Sequence, residues 1–113
     1  MNKESFLENL DNIYRECSVY NWDKNESKPI NKKQYLIAKD FFENFNSLDF
    51  PIIKCNFNGD IYFEWYKNSN LFLIIFISEN PAFYIMNNEF YTIILHNITN
   101  YIYEIVYNIL KEK

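Results

Sequence analysis

The chain has 113 residues and a net charge of −4, and its aromatic content of 20% excludes a disordered chain, which would be poor in such residues. A chain of this length forms one domain, here 1–113, and its single glycine excludes glycine-rich phosphate-binding loops. Because acidic residues outnumber basic ones by 15 to 11, direct binding to nucleic acid, which needs clustered lysine and arginine, is not expected.

Two amphipathic helices are predicted at the N-terminal end of the chain. The first runs from Lys3 to about Tyr20, because its apolar residues recur at helical spacing. A polar connection containing Trp22 follows. The second helix begins after an N-cap at Asn31, with Gln34 three positions on as in a capping box. Its inward face is predicted to carry Tyr35, Ala38, Phe42 and Phe45.

A β-hairpin is predicted over 52–66, where apolar and polar residues alternate. A two-residue turn ending at Gly59 would pair Cys55 with Tyr62 and mix apolar with polar residues on one face. A three-residue loop with Gly59 in the left-handed conformation pairs Cys55 with Ile61 instead and keeps the faces separate. We therefore predict the three-residue loop. The inward positions are Ile53, Cys55, Phe57, Ile61, Phe63 and Trp65.

The remainder of the chain predicts further strands and a final helix. The run from Leu71 to Ile77 is apolar on both faces and indicates a central strand, and 82–86 indicates a fourth. Residues 90–95 are either a fifth, edge strand or the start of the last helix, which is capped at Asn97. The order ααββββ(β)α predicts a two-layer α+β domain: an antiparallel four- or five-stranded meander with two N-terminal helices and one C-terminal helix.

Metal, cofactor and membrane sites are not expected. Cys17 and Cys55 lie 38 positions apart without a CxxC motif, and His96 is the one histidine, so a zinc site is excluded. Two buried free thiols indicate a reducing, cytoplasmic location. The longest apolar run has seven residues, far below the roughly 20 that span a membrane. No signal peptide is recognisable at the first residues.

Catalytic groups are not predicted either. His96 lies just before the cap of the last helix, with no serine or cysteine at a spacing that points to it. Asp60 and Glu64 share one strand face about 13 Å apart, which is too wide for a glycosidase pair and typical of a solvated face.

The predicted polar face of the hairpin is the candidate partner-binding surface. Tyr62, Glu64 and Tyr66 project together, with Lys54 on the neighbouring strand. The polar side of the last helix adds Tyr103 and Tyr107. Tyrosine is enriched at protein interfaces because it brings a large apolar area and a hydroxyl group. The alternative is that the composition reflects an AT-rich genome, in which case exposed tyrosines would be scattered singly.

One segment resembles a group of small bacterial proteins. The segment Asn21-Trp22-Asp23, then Pro29, Pro51 and Gly59-x-Ile61-x-x-Glu64-Trp65, is similar to proteins in phage or mobile-element neighbourhoods that carry a Trp-Asp-Gly segment before a Gly-x-Ile-x-x-Glu-Trp hairpin. The resemblance covers about residues 20–85, and Lys24 stands where that group usually has glycine. It implies a shared fold at most, and it carries over no activity and no catalytic residue. On physical grounds, Trp22 is predicted to dock against the sheet and Glu64 to lie on the surface.

These observations predict a non-catalytic, protein-binding inhibitor of bacterial or phage origin, of the anti-CRISPR, antitoxin or immunity type. It would occlude a larger partner with a basic surface, since complementary charge favours association. One alternative is a small-ligand-binding domain or minor enzyme with a cleft between sheet and helices that contains Asp60, Glu64 or His96. Another is a homodimer built on the exposed sheet face.

Overall fold

The computed structural model describes residues 2–18, 28–47, 49–77, 83–87, 92–95 and 100–111. The helices in these ranges are α1 (Lys3–Cys17), α2 (Lys32–Glu43) and α3 (Asn100–Lys111). The strands are β1 (Ile52–Cys55), β2 (Ile61–Lys67), β3 (Asn70–Ile77), β4 (Phe83–Asn87) and β5 (Thr92–Leu95). Neighbouring strands pair antiparallel in the order β1-β2-β3-β4-β5, so each strand lies beside the next one in the chain.

The two N-terminal helices begin at asparagine caps. The side chain of Asn2 accepts a hydrogen bond from the backbone of Ser5, and that of Asn31 accepts from the backbone of Lys33 and Gln34. The predicted cap at Asn31 is therefore confirmed. Such caps satisfy backbone N–H groups that have no partner within the helix.

The predicted three-residue loop between β1 and β2 is confirmed. Cys55 pairs with Ile61, and Gly59 has a φ of +82°. The side chain of Asn56 accepts hydrogen bonds from the backbone N–H groups of Asn58 and Asp60 at 3.0 and 3.1 Å, which closes the loop. With this register and loop length, the apolar residues of the hairpin lie on one face and the polar residues on the other, as their alternation along the sequence requires.

The core lies between the helices and the inward face of β1–β3. The ring of Phe42 on α2 is 4.6 Å from that of Phe63 on β2, and Phe6 on α1 packs against Phe42 at 4.7 Å. Trp65 is buried and its indole Nε1 donates to the backbone oxygen of Asp49 at 2.6 Å. The apolar residues of α3 in this core are Ile102, Val106 and Ile109.

The chain is an α+β protein, and the predicted four- or five-stranded, two-layer meander with two N-terminal helices and one C-terminal helix needs a correction. Among the residues whose side chains are described, the packed unit is three helices on a three-stranded antiparallel sheet, β1-β2-β3. Backbone pairing continues from β3 to β4 and β5. The hydrophobic pattern predicts how many strands form, but it does not show which of those strands the helices pack against.

Several local predictions also need correction. Helix α1 ends at Cys17, short of the predicted end near Tyr20. Phe57 is 63% exposed and does not lie on the inward face; it belongs to the hairpin loop, where the predicted three-residue loop Phe57-Asn58-Gly59 places it. Phe45 is buried as predicted but follows the end of α2, whose inward face also includes Phe41. Thr92–Leu95 is a strand. The predictions for Trp22, His96 and Asn97 fall outside the described residues.

Candidate functional site

The candidate site lies on the sheet face that points away from the helices. Phe63 and Trp65 contact α2, so the alternating residues of β2 point to the opposite side. Lys54 stands opposite Tyr62 in the register, and Ile52 stands opposite Glu64. We call Ile52, Lys54, Tyr62, Glu64 and Tyr66 the outer cluster. It contains four of the six predicted partner-binding residues.

Glu64 is buried at the centre of this cluster, which corrects its prediction as a surface residue. It is 8% exposed, and its Oε1 lies 2.7 Å from the Nζ of Lys54. In the described part of the chain, the Lys54 ammonium is the contact that compensates the buried Oε1. The alternation of β2 predicts which face Glu64 occupies, but its burial depends on neighbours such as Ile74 of β3.

Electrostatic coupling links the polar members of the outer cluster. Contact with Glu64 and the charge of that carboxylate raise the pKa of Lys54, with a smaller contribution from Tyr66. Burial, followed by the charge of Glu64, raises the pKa of Tyr62. At neutral pH Lys54 is therefore a cation and Tyr62 a neutral phenol. Neither of these two groups titrates near neutrality.

Apolar side chains surround the ion pair. The ring of Tyr62 stacks on that of Phe76 at 4.9 Å with an interplanar angle of 21°. Ile52 is 54% exposed, and the partly exposed Leu71 stands opposite Tyr66 in the register. The tyrosines of the outer cluster thus belong to a continuous set of cross-strand neighbours.

The other two predicted partner-binding residues, Tyr103 and Tyr107, lie elsewhere. Tyr103 stacks on Phe41 of α2 with ring centroids 4.9 Å apart, and Tyr107 stacks near Phe45 at 6.3 Å. Burial, and then the charge of Asp40, raises the pKa of Tyr103. Both tyrosines therefore belong to the helical layer. The pattern of α3 taken by itself does not show that α2 packs beside its nominally polar side.

Asp60, proposed for a ligand-binding cleft, has a structural role at the hairpin loop. Its carboxylate accepts hydrogen bonds from Gln34 Nε2 at 3.4 Å and from Asn56 Nδ2 at 3.3 Å. It thereby joins the start of α2 to the loop. Glu64, also proposed for that cleft, lies on the outer face and points away from the helices.

Helix α2 carries a depression that the sequence did not predict. Its volume is about 440 Å³, and Leu36, which lines it, is 50% exposed. The lining residues are Lys32, Lys33, Leu36, Ile37 and Asp40. None of them is a residue predicted for the cleft of a ligand-binding domain. The helical pattern leaves Leu36 off the inward face, but it does not show that a depression forms there.

The two cysteines, Cys17 and Cys55, are thiols and lie near each other where α1 approaches β1. Burial, and then the neighbouring Cys17, raises the pKa of the Cys55 thiol. In the described ranges, no three or more His, Cys, Asp and Glu side chains gather where they could hold a metal ion. The helices described there are too short or too polar to cross a membrane.

Comparisons of the chain with protein families, curated proteins and solved structures found no match. The similarity of residues 20–85 to small phage-associated bacterial proteins therefore stays a prediction. The function has to be inferred from the geometry of the outer cluster.

Proposed function

We propose that this protein is a non-catalytic, stoichiometric inhibitor of bacterial or phage origin that binds a larger protein in the cytoplasm. Proteins of the anti-CRISPR, antitoxin and immunity types act in this way. The outer cluster is the binding surface, and binding occludes a functional surface of the partner.

The observation that carries this proposal is the composition of the outer cluster. It joins an accessible apolar residue, Ile52, to two tyrosines and to an ion pair in which the carboxylate of Glu64 is buried and the Lys54 side chain is partly exposed. Interfaces place aromatic anchors at their centre and exclude water from the few charged groups they bury. The net charge of −4 favours a partner with a basic surface, because complementary fields accelerate association.

Site-specific photo-crosslinking tests the proposal. A photo-reactive amino acid replaces Ile52 in the outer cluster or, as a matched control, Leu36 on α2, since both side chains are about half exposed. Expression in the cells that naturally carry the gene should give a 1:1 adduct with one larger protein from position 52 and not from position 36.

The alternatives give different outcomes of the same experiment. An adduct between two copies of this chain would indicate the homodimer and contradict the inhibitor. Adducts with the same protein from both positions would place the contact outside the outer cluster. Absence of a specific adduct from position 52 would also contradict the proposal.

A further inference from the structure

The ion pair between Lys54 and Glu64 in the outer cluster indicates which kind of partner side chain could bind there. Resting on the proposed function, we propose that the cluster recognises an arginine side chain of the partner. The guanidinium replaces the Lys54 ammonium on the Glu64 carboxylate and lies beside the ring of Tyr66. Lys54 occupies this position in the free protein, and its ammonium moves into solvent when the guanidinium binds.

The first argument is the incomplete bonding of Glu64. A carboxylate offers about four lone-pair positions, and a buried one needs several of them filled. Among the described residues, the Oε1 of Glu64 is compensated by one ammonium, that of Lys54 at 2.7 Å. A guanidinium brings five N–H donors in a planar fork that matches a carboxylate at two points, which a single ammonium cannot do.

The second argument is that Lys54 is able to leave. Its side chain is 44% exposed, although its ammonium contacts the buried Glu64. It lies on β1, the first strand in the sheet order and therefore an edge strand. Lysine has a flexible stem and a strongly hydrated ammonium, so its release to water recovers hydration. Arginine is more weakly hydrated and therefore loses less when it is buried at an interface.

The third argument is the aromatic and apolar surroundings of the position that Lys54 vacates. The phenol group of Tyr66 acts on the Lys54 ammonium, although less than Glu64 does, so a group that takes its place lies near Tyr66. A guanidinium stacks on aromatic rings more effectively than an ammonium does. Ile52, opposite Glu64 in the register, is half exposed and available to cover the apolar stem of an arginine.

The test uses small probes, so that it does not depend on identifying the partner. N-acetyl-arginine amide, N-acetyl-lysine amide and N-acetyl-citrulline amide are titrated into the full-length isotope-labelled protein. NMR monitors the Glu64 carboxyl carbon and the Tyr66 ring. We expect saturable shifts at both residues with the arginine probe. The lysine probe should bind at least fivefold more weakly, and the uncharged citrulline probe should not saturate.

Two variants make the test specific. Lys54→Arg keeps the charge and places a guanidinium on Glu64 from within the chain, so it should weaken binding of the arginine probe about tenfold. Lys33→Arg, on the exposed side of α2, is the matched control and should leave binding unchanged. Equal binding of the arginine and lysine probes, an unchanged affinity in Lys54→Arg, or no shift at Glu64 would overturn the inference.

Binding of the variants to the partner found by crosslinking distinguishes a failure of this inference from a failure of the proposed function. If Ile52→Asp abolishes partner binding and Lys54→Arg leaves it unchanged, the outer cluster binds the partner without an arginine on Glu64, and only the inference fails. If neither variant affects partner binding, both fail. Weaker partner binding by Lys54→Arg and Ile52→Asp, but not by Lys33→Arg, supports both.

Discussion

Gly59 is the position where adding a single methyl group, by substitution with alanine, should lower the free energy of unfolding the most. Its φ of +82° is unfavourable for residues with a Cβ atom, and a Cβ built there would lie 2.5 Å from the backbone oxygen of Pro29. That oxygen belongs to the segment 28–30, which bonds to the loop through Lys28 N and Phe57 O at 2.8 Å and to α1 through Ile30 N and Cys17 O at 2.9 Å. The segment therefore cannot move without disturbing contacts on both sides.

We expect Gly59→Ala to lower the free energy of unfolding by roughly 2–4 kcal/mol. About 1–2 kcal/mol comes from the left-handed conformation, and a further ~1–2 kcal/mol comes from displacing the segment 28–30, the usual cost of overpacking. The assay is equilibrium unfolding in urea. Asn58→Ala, in the same loop and exposed, is the control and should change stability by less than about 0.5 kcal/mol.

A comparison within the chain isolates the contribution of the backbone. Asn68 and Ser69, in the turn between β2 and β3, also have positive φ values, 52° and 68°. Ser69→Gly should therefore stabilise the protein, by roughly 0.5–1 kcal/mol. If Gly59→Ala costs less than about 1 kcal/mol, the close approach of Pro29 to the loop does not constrain the fold, and the reasoning is refuted.

Three further predictions concern other contacts. Because Glu64 raises the pKa of Lys54 above 10.5, its ion pair stabilises the protein fully below that pH, and the stabilisation is lost as the pH rises through the folded-state pKa. In urea unfolding, the stability difference between wild type and Lys54→Gln should therefore be present at pH 8 and shrink as the pH is raised beyond 10.5. Tyr35 donates a hydrogen bond to Asp11 between α2 and α1, so Tyr35→Phe should lose about 1 kcal/mol of unfolding free energy. Because its pKa is raised, the Cys55 thiol should react with an aromatic disulfide reagent at pH 8 at least tenfold more slowly than in urea.

The hairpin shows what a sequence pattern can predict. Alternation along 52–66 and the position of one glycine were enough to choose between two registers, because a shift of one residue exchanges the two faces. The pairing of Cys55 with Ile61 and the left-handed Gly59 follow from that local argument. The N-cap at Asn31 is predictable for the same reason, since its hydrogen bonds reach only two and three residues along the chain.

Long-range packing limited the prediction of the candidate site. Alternation placed Lys54, Tyr62, Glu64 and Tyr66 on one face, but it could not show that Glu64 is buried, because Ile74 belongs to the next strand. A helical pattern likewise cannot show which neighbour covers which side of α3. Tyr103 and Tyr107 were therefore assigned to a solvent-exposed face, although they stack on residues that belong to or follow α2.

The measurement that tests the central claim most directly compares two substitutions in binding to the crosslinked partner. Ile52→Asp and Leu36→Asp each place a carboxylate at a half-exposed apolar position, one in the outer cluster and one on α2. Calorimetry should show at least a thirtyfold loss of affinity, about 2 kcal/mol, for Ile52→Asp and less than a threefold change for Leu36→Asp. Equal affinities, or a greater loss from Leu36→Asp, would contradict the outer cluster as the binding surface.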